Sequence, residues 1–229
     1  MTSRKPLDAF AVSLMLMLCV LWGLQQVAVK VAAPGLNPIA QIGWRSLAAA
    51  LMVCVLMWWR GDRFSLRDGN FLPGIGAGAL FAAEFLCVAV GLQYTTASHM
   101  SVFLYTAPIF TVLGLHLCIP GERLGRWQWA GVLAAFAGIA VAFSGGFGAQ
   151  RDWADMLLGD VLGIAGGLFW AATTVLIRRS TLSEAPPATT LLYQLGVCGV
   201  ILLVIAAFMG ELRGELHAAS LTGIVWGSL

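Results

Sequence analysis

Glu84 stands inside a long apolar run, flanked by Phe81 and Phe85. An ionisable group at bilayer depth costs at least ~2.5–3.5 kcal/mol on insertion scales unless it meets a cavity or a partner. A carboxyl there suits a group that gains and loses a coupling proton, or one that grips a substrate. The structural alternative is a neutral or paired Glu that fixes two helices together. Arg45 lies about two turns inside a neighbouring apolar run. It keeps its charge, so it needs an anion, a cage of carbonyls or water. Pairing with Glu84, binding an anionic substrate group and snorkelling to the interface all meet that need. Gln25 and Gln26 offer hydrogen bonds to a substrate or between helices. Gln41 is another polar residue in lipid-compatible sequence, and Lys30 lies near enough to a span end to act as an interface anchor.

Pro108 interrupts a further run, with Tyr105, Thr106 and Thr111 around it. Proline lacks an N–H and clashes with the carbonyl four residues back, here that of Leu104. Broken helices are tolerated in membranes where they line a cavity or find partners, so Tyr105 is a candidate cavity wall. Trp22, Trp44, Trp58, Trp59, Trp127, Trp129 and Trp153 mostly fall at run ends, as an interfacial belt requires. Trp170 falls deeper, where it lines a cavity or packs.

Other chemistries find no support. His99 and His116 lie near opposite ends of one run and cannot share a metal. The five cysteines lie in apolar runs without CxxC spacing, which argues against a disulfide framework and a zinc site. There is no G-x-S-x-G elbow and no phosphate-binding glycine loop before Lys-Ser or Lys-Thr. No cofactor or metal is expected, and enzymatic activity is not. Asp160 reads as a carboxylate at a helix start, complementing the dipole.

Composition defines the elements that hold these residues. The chain is 59% hydrophobic and 10% charged, whereas soluble domains carry about 25% charged residues. Its solvent is therefore largely lipid, and its net charge of +2 gives no reason to expect nucleic acid. A span needs ~20 mostly apolar residues. Such runs cover about 9–31, 39–59, 71–94, 99–119, 127–144, 157–177 and 188–209, and half of an eighth begins near 218. The first run follows Arg4 and Lys5 like a signal peptide, but it exceeds the usual h-region and lacks a clear cleavage site, so it reads as an uncleaved span.

Arginine and lysine set the orientation. With a cytoplasmic N-terminus, the inner segments carry Arg4, Lys5, Arg60, Arg63, Arg67, Arg123, Arg126, Arg178 and Arg179, and the outer ones only Arg151 and Arg213. The segment around Trp22 then recurs in diluted form: Trp22 aligns with Trp170, Val27 with Val175, Lys30 with Arg178 and Pro38 with Pro186. An odd number of spans precedes the second copy, so it enters the membrane from the opposite side. That is the plan of many secondary transporters. Gly159, Gly163, Gly167 and Ala171 form a small-residue face, as do Ala134, Gly138 and Ala142, and both suit close helix packing.

In order and spacing the chain resembles the EamA-type branch of the drug/metabolite transporter superfamily. The resemblance rests on Trp22-Gly23, Lys30, Pro38, Arg45, Tyr94-Thr95-Thr96-Ala97-Ser98, Tyr105-Thr106-Ala107-Pro108, Gly121-Glu122-Arg123-Leu124 and Gly131. Gly159-Asp160, Trp170-Ala171, Thr174-Val175 and Arg178-Arg179 continue it. It implies an all-α polytopic membrane protein of inverted five-helix repeats, complete over 9–144 and partial over 157–229. It further implies a secondary carrier, exporting small polar metabolites such as amino acids from a plasma membrane. The expected partners are the lipid bilayer and a small-molecule substrate. The expected chain is a truncated product, or one completed by another chain that supplies the missing helices. A membrane-embedded enzyme and a non-transporting assembly subunit are the competing readings. The expected substrate or coupling residues are Glu84, Arg45, Tyr105, Gln25 and Trp170.

Overall fold

The computed structural model describes residues 12–18, 20, 21, 24, 37–61, 69–119, 125–143 and 153–210, and the regular elements among them are all helical. In order they are α1 (Pro38–Arg60), α2 (Phe71–Tyr94), α3 (Ala97–Leu104), α4 (Ala107–Cys118), α5 (Arg126–Phe143), α6 (Trp153–Arg179), a short 3₁₀ turn (Thr181–Ser183) and α7 (Pro187–Phe208). Five segments of the described residues are long and apolar enough to cross a membrane: α1, α2, α3 with α4, α6 and α7. Residues 12–18 are helical and lie in the first expected span, most of which falls outside the described residues. The eighth expected run also lies outside them.

Local chemistry sets the boundaries. Asn37 caps α1, its Oδ1 accepting the Ile39 N–H at 2.8 Å, and Pro38 opens the helix where a missing N–H costs nothing. Gly61 ends it in the left-handed conformation at φ 76°, a region that favours glycine. The fourth span breaks into α3 and α4 at Tyr105–Thr106, with Pro108 in the first turn of α4. The Thr106 hydroxyl donates to the Phe103 carbonyl at the break. Proline thus appears where its lost donor is tolerated, and the helix restarts rather than kinks.

Packing runs between the two halves of the chain. α1 lies against α7, α2 against α6 and α7, and α3 and α4 against α6. The core between α1, α2 and α7 holds Ile39, Ile42, Ala82, Ala89, Cys198 and Leu202. Close approach is made by glycine: a Cβ on Gly159 would meet Thr95 at 2.5 Å, and one on Gly163 would meet Phe103 at 2.8 Å. Without a hydrophobic drive between helices in lipid, such contact is what holds them. The matching face expected on α5 behaves differently. Ala134 and Gly138 are exposed, and a Cβ on Gly138 would meet nothing within 4 Å. At Ala134 and Gly138 that face stands open among the described residues.

The outside is as apolar as the inside. Leu51, Val55, Trp58 and Trp59 of α1, Leu72 of α2, Val161 and Leu168 of α6 and Phe208 of α7 are all exposed. In water such a surface would be an aggregation liability, whereas against acyl chains it is the matched solvent.

Candidate functional site

Glu84 lies near the middle of the 24-residue α2 and is 4% exposed. Its Oε2 has no hydrogen-bond partner among the described residues. On either side along the helix, Phe81 and Phe85 form an edge-to-face pair at 4.8 Å. Arg45, also buried, places its guanidinium 5.1 Å from the centroid of the Phe85 ring. Among the described residues it makes no ion pair with Glu84, one of the pairings the sequence allowed. Consecutive helical side chains diverge by about 100°, so a guanidinium seated on Phe85 is turned from its neighbour. Cys198 of α7 lies near enough to feel both groups, and the Ser46 hydroxyl lies 3.9 Å from its sulfur.

Gln41 completes this centre. It lies one turn before Arg45 on the same face of α1 and is fully buried. Neither its Oε1 nor its Nε2 has a hydrogen-bond partner among the described residues. Buried polar groups are almost always paired, and an unsatisfied one costs about 1–3 kcal/mol. The sequence reading named Gln41 as a polar anomaly without placing it in the site. The signal that could have done so is its four-residue spacing from Arg45.

A second buried polar cluster joins α2, α3 and α6. The Thr95 hydroxyl donates to Asp160 Oδ1 at 2.9 Å. His99 Nδ1 lies 3.3 Å and 3.4 Å from the two Asp160 oxygens, donating in the forms that carry a proton there. All three residues are buried. This corrects the sequence reading of Asp160. The helix starts at Trp153, and Asp155 is the carboxylate of its first turn, so Asp160 lies well inside and serves tertiary pairing.

The remaining candidates are dispersed. Tyr105 sits at the α3–α4 break and is 47% exposed. Trp170 is half-buried against the cluster of Val88, Leu92, Met100 and Leu104. Gln25, with Gln26 and Lys30, lies outside the described residues. Between α4 and α6 an open groove of about 460 Å³ is lined by apolar side chains from Phe110 to Leu176 and by Arg179. It offers a polar molecule little beyond that one guanidinium. No group of three potential metal ligands occurs among the described residues.

Apolar helices long enough to cross a bilayer, with a lipid-matched exterior and buried polar groups, define a multi-pass helical membrane protein. Residues 9–144 match the EamA-like transporter family, and the chain belongs to that family. It is 29% identical over 162 residues to an uncharacterized transporter of Archaeoglobus fulgidus, a match spanning 68% of this chain and 53% of the relative. A probable amino-acid metabolite efflux pump of Escherichia coli is 24% identical, over 87% of this chain and 62% of that protein. A riboflavin transporter of Rhizobium johnstonii is 25% identical, over 75% and 58% respectively. The chain thus spans between half and two-thirds of these relatives. A solved crystal structure shares the fold with a TM-score of 0.67 at 19% identity, covering 90% of this chain and 71% of that one.

Proposed function

We propose that the protein is a secondary transporter that exports small polar metabolites such as amino acids by alternating access. The observation that carries this reading is Glu84, a buried carboxyl in mid-helix whose Oε2 has no hydrogen-bond partner among the described residues. Such a group is costly in a membrane, and a coupling proton or a bound substrate is what repays it. Arg45 holds a permanent positive charge on the adjacent helix, close to Phe85. Tyr105 and Pro108, at the break between α3 and α4, supply a point where the fourth span can flex and line the substrate path.

The transporter names among the relatives support the same reading, and the efflux pump supports its direction. In the proposed arrangement residues 9–144 form one five-helix repeat, and 157–229 belong to an inverted second one. The N-terminus lies on the cytoplasmic side of a plasma membrane. Helices from a longer chain or a partner would complete the second repeat.

Counterflow of amino acids into proteoliposomes tests this. Wild-type exchange should respond to an imposed pH gradient, and Glu84→Gln should lose that response. Unchanged transport of every substrate by Glu84→Gln would remove Glu84 from the mechanism.

A further inference from the structure

We infer that Gln41 and Arg45 form a carboxylate-binding subsite, which directs the carrier toward amino-acid-like zwitterions. The inference rests on the transporter reading and specifies how its substrate is recognised. Gln41 and Arg45 lie one turn apart, so their side chains emerge from one face of α1 about 6 Å apart along the axis. The opposite face of α1 is committed to packing: a Cβ on Gly43 would meet Leu203, and Leu47 fills the space beside Gly199. Gln41 takes no part in that contact and yet is fully buried, its donor and acceptor both without a hydrogen bond among the described residues. Such a side chain is open to the polar groups that a ligand would bring.

The donor set identifies the partner. A carboxamide presents an N–H pair, and a guanidinium presents a planar fork of donors with a permanent charge. Together they match the two oxygens of a carboxylate, which guanidinium groups bind in a bidentate manner. The Glu84 carboxyl lies on the adjacent helix, within reach of the same Cys198 sulfur as Arg45. Its acidic character opposes a dianion such as a phosphate monoester and favours a ligand with an ammonium group beside the carboxylate. A zwitterion would set its carboxylate on Gln41 and Arg45 and its ammonium toward Glu84.

The test is uptake by proteoliposomes of a panel of amino acids, each set beside its carboxamide and its des-amino acid, with uncharged metabolites included. The wild type should prefer each amino acid to its carboxamide by about tenfold or more, the usual effect of a lost charge-assisted hydrogen bond. Gln41→Leu should shrink that preference about tenfold. Gln41→Glu keeps the volume but places an acidic group against the carboxylate, and should cut amino-acid uptake further. Gel filtration and the midpoint of thermal unfolding verify that both variants are folded. A folded Gln41→Leu protein with the wild-type preference overturns the subsite. So does transport of uncharged metabolites without amino acids, which leaves the transporter reading standing. No uptake of any panel member overturns both.

Discussion

Two buried polar clusters in this bundle differ in how their carboxyl groups are met. At the seam of α2, α3 and α6, Asp160 is met by the Thr95 hydroxyl and the His99 ring. Between α1 and α2, Gln41 and Glu84 carry polar atoms that meet nothing among the described residues. Burial alone therefore does not separate function from architecture here, since both clusters are buried to similar degrees. Satisfaction does. A paired polar group fixes how helices meet, whereas an idle one raises the energy of the resting state and lowers it again when a ligand or proton arrives.

The difference predicts opposite responses to mutation. The largest effect should come from Asp160→Ala, which strands the Thr95 hydroxyl and the His99 ring in the interior. We expect a loss of about 3 kcal/mol in equilibrium unfolding from mixed micelles. Next comes Gly167→Ala at the same seam. Its new Cβ would stand 2.8 Å from Thr106 Oγ1, 3.1 Å from the Leu104 carbonyl oxygen and 3.2 Å from the Ala107 nitrogen. Two of those neighbours are backbone, so α6 must shift, at a cost of about 1–3 kcal/mol in the same assay. The smallest change should have the other sign. Gln41→Leu removes an unsatisfied amide from the interior and should stabilise the protein by about 1 kcal/mol. A destabilisation of that size would mean that Gln41 is already paired and would dissolve the contrast between the clusters.

The sequence showed the span positions because apolar run length is imposed by the bilayer, residue by residue. It also marked the break at Pro108, since a missing N–H is a local property. Glu84 stood out for the same reason: its cost depends on depth, which hydropathy reports. The Thr95–His99–Asp160 cluster was hidden because its members come from α6 and from the α2–α3 junction, and only the register between them brings the groups together. The two small-residue faces carry similar sequence signals, yet Gly163 is packed and Gly138 is open. Spacing within a helix shows that a face permits close approach, but not which helix comes to meet it.

The central claim is that the cluster around the unmet carboxyl of Glu84 works and the one around the paired carboxylate of Asp160 holds. It is tested most directly by the pH–rate profile of transport for Glu84→Gln and Asp160→Asn side by side, normalised to folded protein. The account predicts that Glu84→Gln folds in wild-type yield and loses the pH response. Asp160→Asn should yield less folded protein, while each folded molecule keeps the wild-type profile. The reverse pattern, with the pH response retained in Glu84→Gln and lost in Asp160→Asn, would contradict it.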